Sequence, residues 1–194
     1  MAADEGQLLG GNGPFAVVPL SEDCGFIEWV PQTVTLRNVC TEVYAAEGLT
    51  DMKSTLASVH STYKNFSGKR RSELLDKVLH VFPPRLHRWL LSKWSEPAAW
   101  HNARLAFTRT NAVWSMVGHI VGLGDRHGEN ILIDASSGDV VHVDFSCLFD
   151  RGLILEVPEM VPFRLTQNLI DGFGVSGYEG VFRKSCEITL QARH

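Results

Sequence analysis

The chain has 194 residues, 44% hydrophobic and 21% charged, ordinary values for a globular protein with one sizeable core. A net charge of −4 argues against a surface dedicated to nucleic acid, and an acidic N-terminus, Met1-Ala-Ala-Asp-Glu, is not a secretory signal. Four scattered cysteines (Cys24, Cys40, Cys147, Cys186) form no Cys-x-x-Cys pair, so free thiols in a reducing compartment are expected and zinc is not; the most apolar run, Ala112 to Leu123, is too short to span a membrane and carries His119.

In chain order, residues 1–13 read as a flexible leader closed by Gly10-Gly-Asn-Gly13. Phe15 to Leu20 and Phe26 to Val30 read as a strand pair across the turn Ser21-Glu-Asp-Cys-Gly25, with Pro31 stopping the second strand before a crossing segment. Leu36, Val39, Cys40 and Val43 have helical spacing and predict a helix from Leu36 to Ala46. Residues 48–70 are polar and predict a loop with short helical pieces. Within it, Lys69-Arg70-Arg71 reads as a solvated loop or helix start. Ser72 to Phe82 predicts a helix with Leu74, Leu75, Val78, Leu79 and Phe82 on one face, ended by Pro83-Pro84. Leu86 to Trp94 predicts another, with Leu86, Trp89, Leu90 and Leu91 inward.

The longest helix is expected from about 98 to 122, with Ala106, Ala112, Val113, Met116, Val117, Ile120 and Val121 as its core face. Gly122 and Gly124 end it. Ile131 to Ile133 and Val140 to Val143 then read as a hairpin around the turn 135–138. Residues 146–163 are irregular. From Thr166 the chain reads as helical, with a glycine-rich break from Gly172 to Gly180 and a last helix beginning near Glu179. The fold class expected is α+β, mainly α.

The chemistry concentrates around the hairpin. Gly124-Asp-Arg-His-Gly-Glu-Asn130 precedes its first strand, and Asp144 follows its second. Phosphoryl transfer from a nucleotide needs a group that receives or orients the acceptor's proton, and oxygen ligands for magnesium. Asp125 can be the first. Asn130 offers a neutral amide oxygen and Asp144 a carboxylate. The spacing from Asp125 to Asn130 is that of a protein-kinase catalytic loop, and Asp144-Phe145 stands where the metal-binding Asp-Phe pair would follow. Arg126 is expected to pair with an acid, His142 to be structural on a strand face, and Phe145 to pack.

The order Asp-Arg-His resembles the phosphatidylinositol-3-kinase-related protein kinases. So do Val17-Val-Pro-Leu20, Cys24-Gly-Phe-Ile-Glu-Trp-Val30, Ser115-Met-Val-Gly118, His142-Val-Asp-Phe145, Val157-Pro-Glu-Met-Val-Pro-Phe-Arg-Leu-Thr166 and Glu179-Gly-Val-Phe-Arg183. The likeness runs over about residues 14 to 191 and is nearest the DNA-damage checkpoint branch. It implies a PI3K/PI4K-type catalytic domain from 14 to 194: the end of a small lobe and the hinge at 14–30, then a large lobe at 31–194. The catalytic loop would be 124–130 and the activation loop 144–166. It implies ATP with magnesium, or manganese, as cofactors. It gives His127 a catalytic role beside the transferring phosphate, where the residue type alone allows a His bracing the loop. It makes Glu28-Trp29-Val30 the hinge, with Val30 bonding adenine, Trp29 a wall, and Leu132 and Val143 the floor. Asp144-Phe145-Ser146 departs from ordinary kinases by lacking glycine at its third position.

Residues 146–163 carry one arginine (Arg151) against Asp150, Glu156 and Glu159, a balance of −2. A site for phosphoinositide headgroups would be basic, so the loop favours a protein substrate. The resemblance adds serine or threonine acceptors, usually followed by glutamine. It also adds a nuclear location, the remainder of a kinase chain and a regulatory subunit as partners. No membrane partner is expected. Three rivals stay open: a lipid kinase of the same superfamily, a non-catalytic module on a kinase-like fold, and a metal hydrolase using His127, Glu129, His142 and Asp144. The first basic residue is Arg37. No lysine for a phosphate grip precedes the hinge, so a partial, catalytically impaired kinase domain is expected.

Overall fold

The computed structural model describes residues 15–49, 54, 55, 57, 58, 61, 71–156 and 158–192. The expected leader, the loop over 48–70 and the side chains of Lys69, Arg70, Arg71 and Leu74 lie outside the described residues, apart from those few positions.

Strands β1 (Val17–Pro19) and β2 (Gly25–Ile27) form the expected antiparallel hairpin, pairing Val17 with Ile27 and Pro19 with Gly25. A third strand, β3 (Thr33–Thr35), lies where the sequence predicts only a crossing segment. It has just three residues, too few for a periodicity to register. Its partner supplies the ladder: β4 (Ile131–Asp134) pairs with β3 on one side and with β5 (Val140–His142) on the other.

Helix α1 (Leu36–Ala46) follows β3 directly, with the Thr35 hydroxyl accepting the Asn38 N–H as an N-cap. Helices α2 (Arg71–Val81), α3 (Leu86–Lys93) and α4 (Pro97–Val121) stand where the periodicity placed them. Glu96 caps α4 by accepting the Ala99 N–H at 2.6 Å. Gly122, at φ 59°, ends α4 in the left-handed conformation that glycine adopts without a Cβ clash. A 3₁₀ turn (Arg151–Ile154) interrupts the irregular stretch. Helices α5 (Gln167–Gly172) and α6 (Val181–Gln191), separated by a second 3₁₀ turn (Gly177–Glu179), complete the lobe.

Among the described residues the architecture is mainly α with two small sheets. The core lies between α4 and the three-stranded sheet on one side, and among α1, α3, α5 and α6 on the other; Leu36, Leu86, Leu90, Phe107, Ile131, Ile133 and Leu169 are almost wholly enclosed. Two expectations of inward faces are corrected. Leu91 is 49% exposed, and Val113 and Val117 are exposed on α4. The buried stripe of α4 instead runs through Ala103, Phe107, Thr108, Asn111, Ala112, Ser115 and Met116. Hydrophobicity alone misses a stripe that carries three polar side chains. Two of them satisfy themselves on their own helix: the Thr108 hydroxyl donates to Arg104 C=O and Asn111 Nδ2 to Phe107 C=O.

A buried polar knot ties the helices together. Asn168 donates to the Tyr44 hydroxyl at 2.8 Å, that hydroxyl donates to Pro83 C=O at 2.9 Å, and Arg85 N–H donates to Asn168 Oδ1 at 2.8 Å. Each group has a partner, so the burial is not penalised. The outer edge of β5 is closed by α4. Thr110 accepts Val140 N–H and Trp114 Nε1 donates to Val140 C=O, both at 2.9 Å. The β4–β5 hairpin, and the residues at its two ends, are thereby fixed to the longest helix.

Candidate active site

The chain leaves α4 at Gly122 and reaches Asp125 in the left-handed region, φ 58°. That conformation is disfavoured for a residue with a side chain, and neighbouring groups hold it. The Asp125 carbonyl accepts from Asn130 Nδ2 at 2.9 Å and from His127 N–H at 3.0 Å. Its N–H donates to Glu159 Oε1 at 2.9 Å. Among the described residues its carboxylate has no hydrogen bond, is 43% exposed, and lies 4.0 Å from His127 Nε2.

His127 accepts the Glu129 N–H on Nδ1 at 3.2 Å. A neutral imidazole that accepts on Nδ1 carries its proton on Nε2, the nitrogen that faces Asp125. Both roles read from the sequence for His127 are therefore compatible: one nitrogen braces the loop and the other is a free donor. Asn130 is buried, and its amide donates to Asp125 C=O, which leaves Oδ1 as a lone acceptor. Gly128 C=O accepts Arg37 N–H at 2.8 Å, and Glu129 pairs with the Arg37 side chain at 2.9 Å, so α1 supports the loop from behind.

Asp144 leaves β5, also in the left-handed region at φ 61°. It is exposed. Its Oδ1 accepts the Ser146 N–H at 3.0 Å, and the hydroxyl and N–H of Ser146 together hold its carboxyl below the usual range. The serine that replaces glycine is thus a support for the ionised carboxylate. Val143 N–H donates to Asn130 C=O at 3.1 Å, so the two ends of the hairpin are joined by backbone.

Arg126 corrects an expectation. It was expected to pair with an acid; its buried guanidinium instead donates to three main-chain carbonyls, Gly124 at 2.9 Å, Val143 at 2.7 Å and Asp144. It bolts the loop before β4 to the residues after β5. Phe145 packs as expected, between Phe15 and Trp114 with ring centres 6.1 and 6.0 Å away. His142 stacks on Trp114 at 4.9 Å.

A cleft of about 880 Å³ opens beside Asp125 and His127. Its other wall is the stretch from Asp150 to Thr166, including Leu153, Leu155, Glu159, Met160 and Phe163. Trp29, Val30, Leu132 and Val143 lie outside this cleft. Trp29 is 86% exposed beyond β2, and Val30 C=O accepts the Thr33 hydroxyl at 3.1 Å. Leu132 pairs with Val141 while Ile131 and Ile133 are buried, so Leu132, Val141 and Val143 share the sheet face turned away from the core. Among the described residues no group of three His, Cys, Asp or Glu side chains is placed to hold a metal, so His127, Glu129, His142 and Asp144 are not gathered into one. No described helix is long and apolar enough to cross a membrane.

Sequence reasoning missed Glu159, because its contact with Asp125 spans 34 residues. The only signal was one more carboxylate in a loop that also carries Asp150, Arg151 and Glu156.

The family described as "Phosphatidylinositol 3- and 4-kinase" matches residues 5–193. Among curated relatives, "Serine/threonine-protein kinase ATR" of Oryza sativa subsp. indica is 59% identical over 177 residues, 91% of this chain and 6% of that protein. The protein of the same name in Arabidopsis thaliana is likewise 59% identical, over 91% of this chain and 7% of its own length. "Serine/threonine-protein kinase MEC1" of Eremothecium gossypii is 48% identical over 91% of this chain and 8% of its own length. The chain therefore spans less than a tenth of these relatives. The structure titled "FAT and kinase domain of CtTel1" superposes with a TM-score of 0.82 at 38% identity, covering 91% of this chain and 12% of that one. "Tel1 kinase butterfly symmetric dimer" gives 0.80 at 35%, covering 91% and 7%.

Proposed function

The chain belongs to the phosphatidylinositol 3- and 4-kinase family, and on that premise we propose that it is catalytic-domain sequence of an ATR-like serine/threonine protein kinase, which transfers the ATP γ-phosphate to protein hydroxyls in DNA-damage checkpoint signalling. The observation that carries the reading is the constraint on Asp125. Its backbone is held at N–H and C=O, while its carboxylate, 4.0 Å from His127 Nε2 and without a hydrogen bond among the described residues, lines a cleft. That is how a fold presents a reacting group.

In this reading the cleft takes the acceptor segment, and Asp125 orients the serine or threonine hydroxyl and receives its proton. The transition state of phosphoryl transfer is loose, so positioning matters more than basicity. His127 Nε2–H donates toward the oxygens of the transferring group. Asn130 Oδ1 and the Asp144 carboxylate are hard oxygen donors suited to magnesium or manganese. The ion, when bound, supplies positive charge to the phosphate oxygens. The segment 28–30 with Leu132 and Val143 takes adenine: Val30 N–H has no partner among the described residues, and an apolar sheet face lies on the two hairpin residues. Residues 124–130 are then the catalytic loop and 144–166 the activation loop. The substrate is a Ser/Thr-Gln protein segment, the site of action the nucleus, and the partners the remainder of a kinase chain and a regulatory subunit.

The test uses the 177-residue stretch of this chain that matches the Arabidopsis relative, grafted in place of its counterpart in that full-length protein, with ATP, magnesium and a Ser/Thr-Gln peptide. Asp125→Asn should lower kcat by about 10² or more, the scale of a lost general base, with nucleotide affinity little changed. Asn130→Ala and Asp144→Ala should greatly reduce turnover and the response to added magnesium. Full activity in all three variants would reject the site. Turnover of phosphatidylinositol vesicles in preference to the peptide would move the assignment to a lipid kinase.

A further inference from the structure

Glu159 sits where three segments meet. Its Oε1 accepts the Asp125 N–H at 2.9 Å, and its own N–H donates to Gly152 C=O at 3.1 Å. Gly124 and Gly152 are both buried beside it. A Cβ built on Gly124 would lie 2.5 Å from Glu159 Oε2, and one on Gly152 would overlap the same carboxylate. The two glycines thus make the space the carboxylate fills. The neighbouring backbone is already zipped together: Gly124 N–H donates to Cys147 C=O at 2.7 Å, and Asp150 N–H to Gly122 C=O at 3.1 Å. On the carbonyl side, Asp125 is held by Asn130 and His127, both of its own loop. On the N–H side its holder is Glu159, from the far end of the following segment.

We propose that Glu159 is a positioning residue for Asp125. It fixes the left-handed backbone of Asp125 from the activation segment, so that the carboxylate is aligned only when Gly152 and Glu159 are seated against Gly124 and Asp125. The inference rests on the reading of Asp125 as the group that handles the acceptor hydroxyl. A carboxylate accepting a backbone N–H makes a strong hydrogen bond, and small misplacements of a reacting group are costly in rate.

Two routes displace the contact independently. Glu159→Ala removes the acceptor. Gly152→Ala leaves Glu159 intact but puts a methyl where its carboxylate lies. Glu159→Gln keeps an acceptor oxygen of the same reach. In the grafted kinase, Glu159→Ala and Gly152→Ala should each lower kcat on the order of 10²-fold with much less effect on peptide KM. Glu159→Gln should restore most of the rate, and the double variant Glu159→Ala/Gly152→Ala should be no slower than either single one. In the 194-residue chain itself, amide hydrogen exchange at 124–126 should speed up in both displaced variants and stay near the parent rate in Glu159→Gln. A raised peptide KM at unchanged kcat would mean that Glu159 contacts substrate instead and would overturn the proposal; so would additive losses, or exchange at 124–126 unchanged by Glu159→Ala. The Asp125→Asn control separates the two readings. If that variant is fully active, the role of Asp125 fails, whereas unchanged exchange with an inactive Asp125→Asn sinks the Glu159 contact alone.

Discussion

His142 is buried with Nδ1 lacking a partner, stacked on Trp114, and close enough to the Arg126 guanidinium to be repelled by it. Burial first, and that positive charge second, lower its pKa from 6.5 to about 3. The folded state therefore resists a proton that the unfolded chain accepts. Between pH 6.5 and about 3 the unfolded state binds more protons at this site, so stability rises with pH across that window and is lost as pH falls through it. The limiting slope for one such group is about 1.4 kcal/mol per pH unit. Urea unfolding of the chain from pH 7 down to pH ~5.5, above most carboxylate titration, should show this dependence. His142→Phe, which keeps a ring against Trp114, should flatten it. An unchanged slope in that variant would place the pH sensitivity elsewhere.

At the scale of elements, the β4–β5 hairpin carries Asn130 at one end and Asp144 at the other, so its seating on α4 sets where the two lie relative to each other. The turn of the hairpin meets the helix at Gly138. This residue has φ 85°, and a Cβ there would come within 2.6 Å of the Ala103 carbonyl oxygen. Both conformation and space require glycine. Gly138→Ala should destabilise the chain by about 1–3 kcal/mol from backbone strain and overlap, and in the grafted kinase it should lower activity through Asn130 and Asp144 without touching either. The helix itself is anchored by Phe107, fully buried against Phe173 with ring centres 5.9 Å apart. Phe107→Ala should cost about 3–5 kcal/mol in denaturant unfolding. Val113→Ala on the exposed side of the same helix should cost a small fraction of that, the reverse of what the periodicity alone suggests.

At the scale of the whole molecule, large apolar side chains among the described residues are exposed on both faces of the β1–β2 hairpin and its continuation, where Val17, Val18, Leu20, Phe26, Ile27 and Trp29 are each at least half exposed, and again at Phe149, Leu153, Ile154, Met160 and Val161. Single exposed apolar residues are ordinary; a contiguous set marks a surface that another surface covers. The chain on its own should self-associate through this hairpin in sedimentation or light scattering. Ile27→Lys with Trp29→Ser should reduce that association without lowering the unfolding midpoint of the lobe, since neither side chain is in the core. Association unchanged by the pair would assign it to another face, such as Leu153 and Ile154.

Local spacing determined much of this protein. Leu36, Val39 and Val43 mark α1 to the residue, and the Asp125–Asn130 spacing with Asp144 after a short hairpin carries the likeness to the family that the chain belongs to, because helical periodicity and a hairpin's two ends are short-range properties of the chain. Long-range contacts decided the rest. Strand β3 exists because β4, almost a hundred residues on, offers it a ladder. Arg126 binds carbonyls 17 and 18 residues away instead of an acid, and α4 buries Thr108 and Asn111 where Val113 was expected. Glu159 reaches Asp125 across 34 residues. A hydrogen bond depends on where two groups meet in space, and no periodicity in the sequence encodes the meeting of segments that far apart.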